Sequence, residues 1–321
     1  NSPAASADNT FFNSGAAYIF RRTGTTWGQE AYVKASNVAQ RYNYDTRFGV
    51  SVSLSGDTLA VGADGEDSNQ RYITNGPTVS TCTCSYDNGA VYVYRRNSQQ
   101  NWNQEAYVKS VNSDQWDWFG AAVALQGDTL AVGAMGESSN QTTITNGPTA
   151  SSDNSAASSG AVYVYNRSVD QWSQQSYIKP VNGRSNFYFG GTVFLSGDTL
   201  AVGAQGEDSS QTWITNGTSA ASDLYATDSG AVYVYRRNGN FWAQDAYVKA
   251  ANAGSGDGFG STNSVYWGQN PVTAGISLTG DTLVVGAPYE DSNQATITNG
   301  TTASTSDIST DSGAAFVYRN T

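Results

Sequence analysis

Carboxylates recur beside one fixed tripeptide in this chain of 321 residues. Asp64, Glu66 and Asp67 follow Val61-Gly62-Ala63; Glu137 follows Ala134; Glu207-Asp208 and Glu290-Asp291 follow later copies of Val-Gly-Ala. Two neighbouring carboxylates are the equipment of acid–base glycoside hydrolysis. A catalytic pair is used once, whereas Glu-Asp stands here at three equivalent places, so a structural task fits better and no residue is assigned a catalytic role. The same oxygens are calcium ligands. Each group offers one or two of the six to eight that calcium takes. Calcium held by Asp64, Glu66, Asp67, Glu207, Asp208, Glu290 and Asp291 is therefore one expectation, and a solvated loop start is the other.

Other chemistries are narrowed by composition. Histidine is absent, which removes Ser-His-Asp and Cys-His catalysis and every imidazole metal site. The two cysteines, Cys82 and Cys84, lack two further zinc ligands nearby. The formal charge is −11 and the isoelectric point about 4.3. A phosphate-binding surface needs the opposite sign, so nucleic acid is not a partner. No run approaches the roughly 20 apolar residues of a membrane span. Charged residues are 13% and aromatics 12%, which describes a folded, polar-surfaced chain rather than a disordered one.

The elements that carry these residues are copies of one another. GDTLAVGA occupies Gly56–Ala63, Gly127–Ala134 and Gly197–Ala204, and GDTLVVGA occupies Gly280–Ala287. A spacing near 70 residues is the mark of a repeat architecture. A Phe-Gly pair precedes each copy, at Phe48, Phe119, Phe189 and Phe259. A 25-residue insert follows it, containing Ile-Thr-Asn-Gly, and then a GAVYVY-type strand. Trp102-NQEAYVK, Trp172-SQQSYIK and Trp242-AQDAYVK close the first three units. Each unit reads as four strands. The Ser-Gly-Asp turn suits the tight link between the first two, the GAVYVY strand is apolar on both faces and so covered on both, and the tryptophan strand forms a charged outer edge. Inserts of fixed length with a common motif read as ordered, functional loops.

Phe-Gly, a turn, LAVGA or LVVGAP, and then GAVYVY resemble the FG-GAP repeat. That repeat is the blade of integrin α-subunit β-propellers and of many bacterial surface proteins. GEDS after VGA and W-x-Q-x-x-Y-x-K as the last strand are closest to bacterial extracellular members. The resemblance covers nearly the whole chain. It implies an all-β propeller of four-stranded blades, here four repeat units plus a partial N-terminal unit. As a single repeat domain over 1–321, the partial unit is 11–35, the full units are 48–109, 119–179 and 189–249, and 259–321 lacks its last strand. Two departures stand out. The alternating D-x-D-x-D-G calcium loop of integrin blades is missing, and four units fall short of the usual seven.

The ends of this count carry an extra strand. Gly15-AAYIFRR and Gly313-AAFVYRN are both of the GAVYVY type, while Trp27-GQEAYVK precedes the first full unit and no such strand follows the last. Three readings compete: a ring closed by Trp27–Lys34, exchange of that hairpin between copies, and a piece of a longer array. Ala16, Tyr18, Phe20, Trp27, Tyr32, Ala314, Phe316 and Tyr318 are the assembly candidates. Asn140, Asn166, Asn216 and Asn299 head N-glycosylation sequons. The four strand tryptophans recur at one place and read as packing residues. Trp116, Trp118, Trp213 and Trp267 do not recur and are the candidates for stacking on a glycan. Together these features lead us to expect a secreted, extracellular or cell-surface structural or adhesive protein, not an enzyme, that associates with itself; the alternative is a glycan-binding or carbohydrate-active propeller.

Overall fold

The structure, a computed structural model, describes residues 13–37, 45–261 and 275–320. Among them there is no helix, and the chain is built of strands. β1 (Ala17–Thr23) and β2 (Thr26–Val33) form a hairpin. The first full repeat holds β3 (Val52–Ser55), β4 (Thr58–Ala63), β5 (Thr74–Asn75), β6 (Ala90–Arg96) and β7 (Trp102–Val108). The second holds β8 (Phe119–Gln126), β9 (Thr129–Ala134), β10 (Thr145–Asn146), β11 (Ala161–Ser168) and β12 (Gln171–Ile178). The third holds β13 (Phe189–Ser196), β14 (Thr199–Ala204), β15 (Thr215–Asn216), β16 (Ala231–Asn238) and β17 (Phe241–Val248). The last holds β18 (Ile276–Thr279), β19 (Thr282–Ala287) and β20 (Ala314–Arg319).

Each full repeat is one antiparallel sheet whose main strands follow chain order, β3-β4-β6-β7, β8-β9-β11-β12 and β13-β14-β16-β17. These are four-stranded blades of the β-propeller type. The tryptophan strand is not the sheet edge that its charges suggest. Two residues of the insert's Ile-Thr-Asn-Gly motif pair outside it, Thr74 with Tyr107 and Asn75 with Ala106, so each full sheet has five strands. The hairpin β1-β2 and the sheet β18-β19-β20 are the two- and three-stranded partial units. The first strand of the first repeat, Val52–Ser55, is shorter than the expected Phe48–Ser55, and Phe48 bridges Gly15 in parallel.

The chain divides into two compact units, residues 1–132 with 164–174 and residues 133–163 with 175–321. In the first, Ile19, Val33, Phe48, Val61, Tyr92 and Trp102 share one core. In the second, Val232, Phe259, Val285 and Ala287 do.

The motif glycines mark where successive repeats touch. Gly89 bridges Phe119 and Gly230 bridges Phe259 in parallel. A Cβ on Gly203 would lie 2.2 Å from the Gly260 carbonyl oxygen, and one on Gly62 would lie 2.0 Å from that of Gly120. Backbone meets backbone there, which only a residue without a side chain permits. Gly203→Ala is expected to destabilise the protein by about 3 kcal/mol, the upper part of the overpacking range. Gly28→Ala has open space around it and an ordinary φ, so its melting temperature should match wild type. Thermal melts of both variants check this.

Candidate functional site

Beneath the insert of each of the three full repeats lies a buried ion pair. Lys109 Nζ donates to Glu66 Oε2 at 2.7 Å and to the Gly89 carbonyl at 2.6 Å. Lys179 meets Glu137 and Ser159 Oγ, both at 2.7 Å. Lys249 meets Glu207, Ser229 Oγ and the Gly230 carbonyl, all at 2.7 Å. The lysine comes from the end of the tryptophan strand and the glutamate from the first turn of the insert, so one contact fastens the insert to the outer strand. The glutamates are further held by the Ser68, Ser139 and Ser209 amides two residues on, each at 3.2 Å. Burial presses Lys109 and Lys249 below the ordinary lysine range, while Glu66 and Glu207 pull them back up.

The aspartate of each pair has a separate task. Asp67 Oδ1 accepts from the Asp87 amide at 2.9 Å, Asp208 Oδ1 from Asp228 at 2.9 Å, and Asp291 Oδ1 from Asp311 at 2.7 Å. These bonds tie the start of each insert to its end. Asp64, found only in the first repeat, pairs with Arg47 at 3.0 Å. Neighbouring carboxylates therefore serve different partners, and among the described residues no three His, Cys, Asp or Glu side chains are grouped to hold a metal ion.

A second contact joins successive repeats. The Ile-Thr-Asn-Gly asparagine clasps the backbone of the next repeat's tryptophan. Trp172 N donates to Asn75 Oδ1 at 2.8 Å and Asn75 Nδ2 to the Trp172 carbonyl at 3.2 Å. Asn146 clasps Trp242 with the same two distances. The indole donates in turn to the residue three after the preceding tryptophan: Trp102 to Glu30 at 3.0 Å, Trp172 to Glu105 at 3.0 Å, and Trp242 to Gln175 at 2.8 Å. The three tryptophans are buried, as their repetition predicts. Trp27 is not: it is 66% exposed, because no preceding strand covers it among the described residues.

Glycine-mediated contacts between successive sheets, each entered by Phe-Gly and turned by Gly-Asp-Thr, lead to known families. Comparison with these matches the FG-GAP repeat over residues 27–76 and 172–235. The chain carries FG-GAP repeats. No curated protein sequence matches the chain. FG-GAP repeats are typical of extracellular, often adhesive, proteins, and among the described residues no helix is long and apolar enough to cross a membrane.

The remaining candidates are scattered over the FG-GAP blades. Trp116 is 50% exposed and stacks on Tyr86 with ring centroids 5.9 Å apart. Trp213 is 63% exposed on its insert, Trp118 is half-buried, and Trp267 lies outside the described residues. Asn140 and Asn299 are exposed. Asn166 Nδ2 donates to the Asp128 carbonyl at 3.3 Å. Asn216 occupies the clasp position of Asn75 and Asn146, so a glycan there would use the nitrogen that donates in the other two repeats. Cys82 and Cys84 are joined to each other. The sequence signal for the ion pair was a lysine ending every tryptophan strand and a glutamate opening every insert. The clasp asparagine was equally visible as a repeated residue, but its partner belongs to a different repeat.

Two outcomes follow. Glu207→Gln strands Lys249 without its counter-charge and should cost about 3–5 kcal/mol. The double variant Glu207→Gln with Lys249→Met should lose less than the sum of the two single variants, as a denaturant-melt double-mutant cycle would show. Burial pushes Asp64 up to about 6, against the pull of Arg47 and with a further push from Asp87. An aspartate in the unfolded chain titrates near 3.9. The folded first repeat thus favours the protonated acid, and this contribution is complete below pH ~4 and lost as pH rises through about 6. Asp64→Asn should match wild type in thermal melts near pH 4 and exceed it at pH 7.

Proposed function

We propose that this protein is a secreted, non-enzymatic structural or adhesive array of FG-GAP blades that associates with itself. The observation that carries this reading is the use made of the recurring carboxylates. Glu66, Glu137 and Glu207 are each bound to a buried lysine, and Asp67 and Asp208 close their inserts. The groups best suited to catalysis or calcium are engaged in holding blades and inserts together. The inserts present serine, threonine and asparagine outward together with exposed Tyr72, Trp213, Tyr225, Ile297 and Ile308, a surface suited to contact.

Self-association is supported by exposed apolar side chains on β1, β2 and β20. β1 carries exposed Tyr18 and Phe20 beside exposed Trp27, and β20 carries Val317 at 69% exposure. Exposed apolar side chains grouped on a surface mark contacts between proteins. A second reading, glycan binding, is favoured by the Tyr86–Trp116 stack and by Trp213. Occupied sequons at Asn140 or Asn299 would fit a secreted protein.

Light scattering joined to intact-mass measurement tests the proposal. Expected are particles well above the 33.9 kDa of one chain, growing with protein concentration, and no turnover of glycans. A monomer at all concentrations that binds on a glycan array would favour the second reading. Subunit mass above the sequence value reports glycosylation in the same experiment.

A further inference from the structure

The insert of the first repeat carries both cysteines of the chain, and the other inserts carry none. Cys82 and Cys84 are joined with a single residue between them. Because the inserts have equal length, they can be compared place by place. Asp153 and Asp223 stand where Cys82 does, and Ser155 and Tyr225 stand where Cys84 does. Asp153 Oδ2 accepts from the Asn140 amide at 2.8 Å and from the Ser155 amide at 3.2 Å. Asp223 Oδ1 accepts from the Ser210 amide at 2.8 Å. A covalent bond in the first repeat therefore takes the place of an aspartate turn in the second and third.

That bond is not what fastens the insert. The span 81–84 is pinned on both sides by hydrogen bonds. Before it, Asn37 Nδ2 donates to the Ser80 carbonyl at 2.7 Å; after it, the Ser85 amide donates to the Asp67 carbonyl at 2.9 Å. The third repeat has the same two bonds, Asn182 to Ala221 at 2.6 Å and Ala226 to Asp208 at 2.9 Å. So has the last, Asn252 to Ser304 at 2.6 Å and Ser309 to Asp291 at 2.8 Å. There Ser306 and Ile308 fill the cysteine places, so the span keeps its fastening with neither a disulfide nor the aspartate. A disulfide that closes so short a loop also restrains the unfolded chain least. Its position is open: Cys84 is exposed and Cys82 half-buried. Exposed disulfides are the ones that exchange with thiols, whereas buried ones resist them.

We propose that Cys82–Cys84 is a thiol-exchange site, at which a thiol-bearing molecule is taken up covalently while the blade stays folded. The incoming thiolate attacks the exposed Cys84 Sγ. A sulfur–sulfur bond forms between the two, the bond to Cys82 breaks, and Cys82 leaves with the electron pair as a thiolate that takes a proton from water. The partner's thiol is oxidised to a mixed disulfide as Cys82 is reduced, so no further oxidant is needed. The pinned span keeps Cys82 one residue from Cys84. Its thiolate can return to Cys84 Sγ and expel the partner, which makes the attachment reversible. The partner is a different molecule rather than a second closed copy, because the chain has no other cysteine and none that is free.

The test exposes the native full-length protein to excess reduced glutathione and, separately, to a small globular protein bearing one surface cysteine. Samples are alkylated with a maleimide and weighed intact, while circular dichroism follows the fold. Expected is opening of the bridge at unchanged circular dichroism, with glutathione mapped to Cys84 and maleimide to Cys82. Cys82→Ser places in the first insert the residue that Ser306 supplies in the last, so the fold is kept. Loaded with oxidised glutathione, this variant lacks the returning thiolate and should hold one glutathione per chain after the free compound is removed, where wild type releases it. Uptake of both probes assigns the site to protein thiols as well as small ones; uptake of glutathione alone assigns it to small thiols. A bridge that opens only as the circular dichroism is lost would overturn the proposal. So would glutathione mapped to Cys82, or a Cys82→Ser chain that takes none.

Discussion

Close backbone approach at glycine is the constraint on which the molecule depends. Wherever Gly62, Gly133 or Gly203 meets the glycine of the next Phe-Gly pair, a Cβ would fall within about 2 Å of a carbonyl oxygen. That approach brings the buried faces of neighbouring sheets together, so Val91, Tyr92 and Val93 are closed off on both sides. It also sets the distance over which an asparagine of one insert reaches the next tryptophan. The buried ion pairs, the clasps and the indole bonds are all possible because the sheets are held this near.

Within that frame the charges serve specificity more than cohesion. A lysine and a glutamate taken out of water together gain little net stability, but either one left alone is costly. A strand that ends without lysine, or an insert that opens without glutamate, is therefore rejected by its neighbours. The last repeat departs from the others in a related way. Tyr233 donates its hydroxyl to Asn182 Oδ1 at 2.6 Å, and Tyr92 does the same to Asn37, but Phe316 stands at that place beside Asn252 and has no hydroxyl, leaving Asn252 Oδ1 unpaired. The sheet β18-β19-β20 thus lacks one bond that fastens the first and third repeats.

Much of this was legible in the sequence. The period, the four main strands and the burial of Trp102, Trp172 and Trp242 follow from repetition and from apolar alternation. The fifth, two-residue strand did not, because Thr74 and Asn75 read locally as a turn and become a strand only against Tyr107 and Ala106. The repeated Glu-Asp pair pointed to structure rather than catalysis, but not to which structure. Glutamate and aspartate are adjacent in the chain yet face different partners, one a lysine about 42 residues on and the other an amide 20 residues on. A pattern read along the chain records spacing, and those two directions appear only when the sheet folds back on itself.

The clasp and the glycine seam have a consequence for how such a gene can change. Each repeat carries a receiving face and an offering face of the same design, and the motif recurs after 71 and then 70 residues, the differences between Gly56, Gly127 and Gly197. Duplicating or losing one whole repeat joins an offering face to a receiving face that already fits it. Recombination between copies can therefore lengthen or shorten the array a blade at a time without inventing a new contact.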